Sequence, residues 1–537
     1  DGGQYVKMRE AVFESGPFDY IILGAGSAGC VLAGELAAAL PSAKIALLEN
    51  GGSHADNRNV STPSSWPLNL GGPAAYNYRT VPQQGLNDRR IPYSRGKGLG
   101  GSSLINVMIY SRGFKRDWDA MPEGWRSSDM EPYFERVEKR LNLSKVSSGP
   151  FGMAVAKSAK MVLNLPEESE EGPWTSPGVN SSYWACIDPT SQQRTDIYRV
   201  FASGYDNLSV VHCKATRVLF DMAKKAIGVE IASKKGKRSV MTIAKHGEII
   251  LCAGAIDTPK CLQLSGVGPP ELLRQLDIAE ISGLPVGHGL TDHPLLPCVF
   301  WLKARPALED LAPNSVQGML KDDVQGVNID IIDGQSAGWI APLGMLSPLD
   351  RPGWIWALLL ALTKLLSCFM AFMIKCVPCL QTLFTRVVGL NVAVVKPSSV
   401  GSVMITSKDA KIPPAIDPKF LTTDEDMKAM LTGVAAVRKL VTSPILAPYL
   451  GMELMPGILS DTAHVKSNTS TYYHSTGSCR IGTCLDNELR VLGVGRLRVC
   501  DASVLPIHPQ TPTAAACMAL GARCADLIVS SSPVIHE

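Results

Sequence analysis

Short apolar runs alternate with glycine-rich turns near both ends of this chain. Asp19-Tyr-Ile-Ile-Leu23 is followed by Gly24-Ala-Gly-Ser-Ala-Gly29 and then by the Ala-rich stretch Cys30 to Leu40, and a second apolar run, Lys44-Ile-Ala-Leu-Leu48, ends on Glu49. Apolar runs of this length beside glycine read as buried strands, and the Ala-rich stretch as a helix, so the pattern predicts strand, turn, helix, strand. The same style returns in Asn207-Leu-Ser-Val-Val-His-Cys213, Thr216-Arg-Val-Leu-Phe220, Ile227-Gly-Val-Glu-Ile231 and Glu248-Ile-Ile-Leu-Cys252. Gly254-Ala-Ile-Asp-Thr-Pro259 then turns the chain into a helix through Leu264. Between about 293 and 470 the periodicity is mixed, with strands expected near Val327 to Ile332 and Leu390 to Val395, which reads as a separate lobe. The end reverts to the earlier style, with a strand at Leu497 to Cys500 and an Ala-rich helix from Thr513 to Val529. An α/β domain interrupted by an inserted lobe follows.

Trp354 to Val377 breaks this pattern. It is apolar except for Thr363, Lys364, Ser367, Lys375 and its thiols, and is long enough to span a bilayer. Lys364 opposes a span, because a mid-span lysine costs ~2.5–3.5 kcal/mol on insertion scales. Positions 364, 367, 371 and 375 share one helical stripe, so a helix lying in the membrane interface or covering a greasy substrate entrance is expected, with a buried core helix as the alternative. Peripheral membrane contact is the corresponding partner expectation.

Composition narrows the function. Hydrophobic residues make up 45% and charged residues 19%, an ordinary globular balance. Lys and Arg total 52 against 49 Asp and Glu, and no basic run concentrates the +3 net charge, so a small molecule is expected as partner and no nucleic acid. The 14 Cys are scattered, and Cys376-x-x-Cys379 lies in the apolar segment without a second pair or a His nearby, so buried thiols are expected and no metal site. Triplets at Asn59, Asn142, Asn180, Asn207 and Asn468 permit glycosylation, although such triplets arise readily by chance. Asp1 to Phe18 holds no apolar run of signal-peptide type, and the chain starts without Met, which leaves a processed or trimmed N-terminus open.

The first glycine cluster carries specific chemistry. Gly24 permits a tight turn, Gly26 lets the backbone approach a pyrophosphate, and Gly29 lets the helix pack on the strand. Glu49 follows Gly29 at the spacing at which a carboxylate accepts hydrogen bonds from a ribose. Gly96, Gly98 and Gly101 repeat the spacing without an apparent strand in front, so spacing alone is weak and the strand–turn–helix context carries the dinucleotide reading.

Longer blocks carry a family resemblance. Arg95-Gly-Lys-Gly-Leu-Gly-Gly-Ser-Ser-Leu-Ile-Asn106, ending in Arg112-Gly113, and Gly254-Ala-Ile-Asp-Thr-Pro259, continuing to Ser265-Gly-Val-Gly-Pro269, resemble the two signatures of the glucose-methanol-choline (GMC) flavoprotein oxidoreductases. Gly287-His-Gly-Leu-Thr-Asp-His-Pro294, His474-Ser-Thr-Gly-Ser-Cys479 and Leu489 to Ser503 follow in the family's order, so the likeness runs from about residue 18 to 530. It implies the GMC fold: a Rossmann-like FAD-binding domain in parts (17–55, 91–120, 200–292 and 471–537), with 56–90 partly in the substrate lobe and 293–470 forming most of that α+β lobe.

The resemblance also implies a cofactor and its contacts. FAD is expected without a covalent link, since no His lies in the block around Ser102 and Ser103. Gly24, Gly26, Ser27 and Gly29 would face its pyrophosphate, Glu49 its adenosine ribose, and the backbone at Val218 its adenine. Leu99, Gly101 and Ser102 would bring main chain to the flavin ring, Asn106 would sit beside that ring, and Arg95 and Ala253 belong to the matching blocks. Asp501 and Ala502 would lie near the flavin and ribityl chain, and Thr513 would begin a helix whose N-terminus steadies negative charge at the reduced flavin.

His474 matches the family's catalytic histidine, a base that takes a hydroxyl proton while the carbon-bound hydrogen leaves as hydride for flavin N5. The sequence departs from the family at Pro512, where His or Asn is usual. Proline offers no side-chain donor or acceptor, so His508 or Gln510 would have to supply the missing partner. The expected activity is oxidation of an alcohol, apolar and long-chain or aromatic. Alternatives implied by the same resemblance are fatty-acid photodecarboxylation, whose Cys-Arg pair aligns with Val395 and Lys396, hydroxynitrile cleavage, and flavin binding without redox turnover.

Overall fold

A computed structural model of the protein describes residues 9–10, 17–166, 173–180, 182–233, 238–303, 316–322, 326–333 and 386–531. The apolar stretch Trp354 to Val377, with Cys376 and Cys379, lies outside the described residues. Strand β1 (Phe18–Leu23) runs through the Gly24 turn into helix α1 (Ser27–Ala39) and on to β2 (Ile45–Glu49). Both strands are buried along almost their whole length, as continuous apolar runs in a parallel sheet should be. The chain returns to this sheet with β3 (Leu208–His212), β4 (Lys214–Phe220), β5 (Ala226–Ala232) and β6 (Arg238–Leu251), and continues into α2 (Gly254–Leu264).

The strand order is β3-β2-β1-β6-β5-β4. β6 is longer than the predicted Glu248–Cys252: its 14 residues pair antiparallel with β5 at one end and parallel with β1 at the other. Only the end buried beside β1 is an apolar run, so the exposed hairpin end escapes a hydrophobic search. A second strand missed in this way is Pro92–Gly96, which pairs antiparallel with Ala75–Arg79 directly in front of the second glycine triplet; its Tyr, Ser and Arg are too polar for that search.

The inserted lobe is built on an antiparallel sheet. β7 (Val299–Leu302), β8 (Val316–Asp322), β9 (Val327–Asp333) and β10 (Val387–Val394) are followed by helix α3 (Asp424–Val441) and β11 (Leu450–Met455), in the spatial order β11-β7-β10-β9-β8. Gly178–Asn180 adds the outer edge, and helix Pro150–Leu163 packs beside α3, so the lobe also takes in residues before 200 that the sequence pattern leaves unassigned. Val327 and Ile329 bury under α3 with Met430, Val434 and Val437. By strand alternation, Asn328 and Asp330 project from the opposite face.

β12 (Leu497–Val499) closes the first sheet along the free side of β6, and α4 (Ala514–Ser531) ends the described chain. By composition α4 is apolar enough to cross a membrane, but it packs on α1, where a side chain at Gly521 would come within 2.5 Å of the Ala28 carbonyl. The carboxyl ends of β1, β2, β3, β6 and β12 all point to one edge. That edge is where α/β sheets bind ligands, and here it presents Gly24, Glu49, Cys213, Ala253 and Asp501 to one cavity.

Candidate functional site

The cavity runs from the glycine turn at the sheet edge to the polar face of the inserted lobe. Gly24 turns with φ of 107°, and a Cβ there would sit 2.5 Å from the Cys252 carbonyl. α1 opens at Gly26 with no acidic residue in its first turn and no side chain capping its amides, which leaves N–H groups aimed at the cavity where Gly26 and Ser27 line it. Gly29 does not line it. A Cβ at Gly29 would meet the Gly24 carbonyl at 2.0 Å, so this glycine lets helix and turn touch.

The two glycine clusters are parts of one cradle. Gly100 N–H donates to the Ala25 carbonyl at 2.8 Å, and a Cβ on Gly101 (φ 55°) would lie 2.6 Å from Gly26 Cα. Glu49 ties them together: its carboxylate accepts from Ala25 N–H at 3.1 Å, Gly51 N–H at 2.6 Å and Gly98 N–H at 3.1 Å. Burial raises its pKa, and those three donors oppose the rise. A carboxylate has about four acceptor sites, so one is left for a ribose hydroxyl.

Farther along, Arg95, Ser102 and Asn106 line the cavity. Asn106 Oδ1 accepts from Arg194 at 2.7 Å and from Met108 N–H at 3.1 Å, which leaves the amide nitrogen for a ligand. Arg194 is buried and also donates to the Val60 and Ser103 carbonyls; burial among these neutral acceptors lowers its pKa to about 9. Asp501 accepts from Gly254 N–H (2.8 Å), Thr258 Oγ1 (2.6 Å) and Ser503 N–H (2.8 Å), so its carboxylate caps α2. Ala253, Ala502 and Thr513 line the same wall. The Thr513 carbonyl receives the first helical bond of α4, whose first turn holds no acid.

Two further expected positions are, like Gly29, off the cavity wall. Leu99 is buried, with its N–H on the Gly52 carbonyl, and does not line the cavity. Val218 faces the core and its N–H donates to Ser265 Oγ at 2.8 Å; the β4 residues on the cavity wall are Lys214, Ala215 and Thr216. The strand enters the wall at its start, before it reaches Val218.

His474 lines the cavity behind a strained backbone, since the preceding Tyr473 has φ of 65°. Arg95 holds this turn by donating to the Tyr473 carbonyl at 2.7 Å and to Ser475 Oγ. Buried Asp292 accepts from the His474 N–H (2.8 Å), the His293 N–H (2.9 Å), Thr471 Oγ1 (2.6 Å) and the Tyr93 hydroxyl. His474 Nδ1 lies 3.1 Å from His293 Nδ1. Burial first, then His293 and Arg95, pushes the His474 pKa well below the ordinary range. His293 is fully buried and held at about 3, with the Val395 and Pro509 carbonyls opposing that depression.

Pro512 lines the cavity. His508 does not: its Nδ1 is 2.6 Å from Thr476 Oγ1, and its ring lies tilted at 59° with its centroid 4.0 Å from that of His293. Gln510 is turned away, bonded to Asp117 through both its main chain and its amide. Val395 and Lys396 are off the cavity wall. Sequence reasoning assigned no role to Arg194, His293, Asp330 or Tyr472. Only His293 had a signal, in the Thr291-Asp-His-Pro294 block, and nothing in its spacing announces a contact with His474.

Residues 18–295 match the N-terminal part of the GMC oxidoreductases and residues 397–521 the C-terminal part. The chain is 30% identical to an oxygen-dependent choline dehydrogenase of Photobacterium profundum, over 96% of this chain and 94% of that protein. It is also 30% identical to an alcohol dehydrogenase (acceptor) of Pseudomonas putida, over 95% and 96%. The solved structure of pyridoxine 4-oxidase from Mesorbium loti shares the fold, with a TM-score of 0.78 at 21% identity over 95% of this chain and 98% of that one. Matched in both its parts and similar to these dehydrogenases along nearly its whole length, the chain belongs to the GMC oxidoreductases, an enzyme family that acts on alcohols with FAD as its cofactor.

Proposed function

We propose that this enzyme oxidises an alcohol at its carbinol carbon, with His474 Nε2 as the group that takes the hydroxyl proton. The uncapped amides of α1, the glycine cradle of Gly26 and Gly101, and Glu49 suit a dinucleotide. When bound, FAD supplies at N5 the acceptor for the hydride that leaves carbon.

The observation that carries the reading is the Nδ1 to Nδ1 contact of His474 and His293. One of these nitrogens carries a proton and the other accepts it. A base at His474 Nε2 requires the shared proton to sit on His474 Nδ1, with the His293 proton on Nε2. His293 Nδ1 is then the acceptor, His474 Nδ1 the donor, and His474 Nε2 an unprotonated base. Asp292 and Arg95 hold the turn that presents it.

Pro512 adds nothing to the alkoxide side, and His508 and Gln510 are engaged elsewhere. Tyr473, on the cavity wall and with no hydrogen bond from its hydroxyl among the described residues, is a donor that could share that task. An apolar substrate is supported by Leu295 and the Tyr472 ring, but Asp330 makes the same wall polar. Mixing the holoenzyme with a panel of alcohols without oxygen tests the reading. Bleaching of the flavin absorbance is expected, and absence of bleaching with every alcohol contradicts it.

A further inference from the structure

We propose that Arg194 is a positioning residue of the flavin site, whose buried and unpaired guanidinium fixes the Asn106 amide at the ring end of the cavity and raises the reduction potential of the bound FAD. Arg194 is only 7% exposed. Its Nε donates to the Val60 carbonyl at 2.7 Å, and its Nη1 to the Ser103 carbonyl at 2.8 Å and to Asn106 Oδ1 at 2.7 Å. All three acceptors are neutral. Nη2 is buried and has no hydrogen-bond partner among the described residues, and no carboxylate there pairs with the guanidinium.

A buried cation held only by neutral acceptors is costly, because they return only part of its hydration. The cost is offset when negative charge forms close by, and a flavin ring gains negative charge when it is reduced. The two ends of the cavity say where that ring goes. The glycine cradle and the uncapped amides of α1 suit the pyrophosphate, which leaves the ring end toward His474. Ser103 and Asn106 line the cavity on a loop that is joined to the His474 turn: Gly96 N–H donates to Ser102 Oγ at 3.1 Å, and the preceding Arg95 donates to the Tyr473 carbonyl. Arg194 is off the wall and reaches it through Asn106. Two effects follow. Because Oδ1 is held, the Asn106 amide nitrogen is the atom left for a ligand, and the unpaired charge acts across a protein wall rather than through water. Burial lowers the Arg194 pKa only to about 9, so the cation persists at neutral pH. A clamp that merely tied the Val60 and Ser103 segments together would need no charge.

The test is the two-electron midpoint potential of the flavin, read against a reference dye in holoenzyme of matched FAD content. It uses no alcohol, so its result is independent of the alcohol-oxidation reading. Arg194→Met removes the charge and is expected to shift the flavin equilibrium about tenfold toward the oxidised form, a fall of about 30 mV for two electrons. Arg194→Lys keeps the charge without the fork and is expected to recover most of that fall. Cys186 gives a second approach that leaves the three hydrogen bonds of Arg194 in place. It is buried and off the cavity wall, its carbonyl accepts from Thr195 N–H at 3.0 Å, and Arg194 acts on its thiol electrostatically. Cys186→Asp sets a carboxylate beside the guanidinium from behind and should lower the potential by a similar factor, whereas Cys186→Ser should not. If Arg194→Met binds no FAD, the Cys186 pair decides alone. A potential unchanged in Arg194→Met or in Cys186→Asp, or equal falls in Arg194→Met and Arg194→Lys, overturns the proposal.

Discussion

His474 and His293 meet Nδ1 to Nδ1 at 3.1 Å with their rings almost perpendicular, at 89°. In the proposed tautomer this contact makes His293 a positioning residue, because accepting the proton of His474 Nδ1 leaves His474 Nε2 unprotonated. His293→Leu removes the acceptor and is expected to slow flavin reduction by roughly 10–100-fold, the usual cost of losing a partner that orients a functional histidine. His293→Asn restores an acceptor near the Nδ1 position and should recover part of the rate. Stopped-flow reduction with FAD content matched checks both, and equal rates for Leu and Asn count against the tautomer argument.

The pH dependence follows from the same cluster. A base works in its neutral form, and burial with His293 and Arg95 beside it depresses the His474 pKa, so His474 stays competent below the ordinary histidine pKa. Flavin reduction is expected to be level from about pH 9 to about 6.5 and to fall only in more acid solution. Stability has a matching sign. His293, held at about 3, and His508, also pushed down by burial, bind fewer protons folded than unfolded. Their contribution is therefore complete above about pH 6.5 and is lost below it, at ~1.4 kcal/mol per pH unit for each histidine. Chemical unfolding at about pH 7.5 and about pH 5.5, on either side of the unfolded histidine pKa, measures the loss.

Two glycine substitutions separate the cofactor from the protein around it. The Cβ direction of Gly26 is open, with its nearest neighbour the Cys252 carbonyl at 4.0 Å, whereas that of Gly101 runs into Gly26 Cα at 2.6 Å. Gly26→Val is expected to fold with a Tm near the parent's apoprotein and to hold no FAD. Gly101→Ala should lower the apoprotein Tm as well, since its φ of 55° is also unfavourable to a side chain. Acid precipitation of the parent should release its yellow colour to the supernatant; colour kept in the pellet contradicts a non-covalent cofactor.

Pro512→Asn places a donor and acceptor on the cavity wall. A developing alkoxide in a dry site gains from each such partner, and removing one donor elsewhere typically costs ~10²–10³-fold, so faster alcohol oxidation is expected. Steady-state kcat for the parent and Pro512→Asn checks this, and an unchanged kcat means that Tyr473 or another wall group already serves the oxygen.

The parallel half of the fold was legible because its strands are apolar runs and its turns are glycines, and Gly24, Gly26, Glu49 and His474 stand out by motif. The hairpin end of β6 and the strand Pro92–Gly96 were not, because exposed strands keep polar residues that no apolar search detects. Leu99 and Val218 are off the cavity wall for a different reason: a motif gives the neighbourhood of a ligand, but which residue of a turn or strand lines a cavity depends on where that segment reaches it. Arg194, His293 and Asp330 reach the site from segments 88, 181 and 142 residues away from their partners Asn106, His474 and Tyr472, contacts that exist only once the sheets are assembled.

The most direct test of the central claim is the rate of anaerobic flavin reduction by alcohol in His474→Ala, measured with FAD still bound. A base that supplies general catalysis gives a fall of ~10²–10⁴-fold. Reduction as fast as in the parent, with every alcohol that turns over, contradicts His474 as the base.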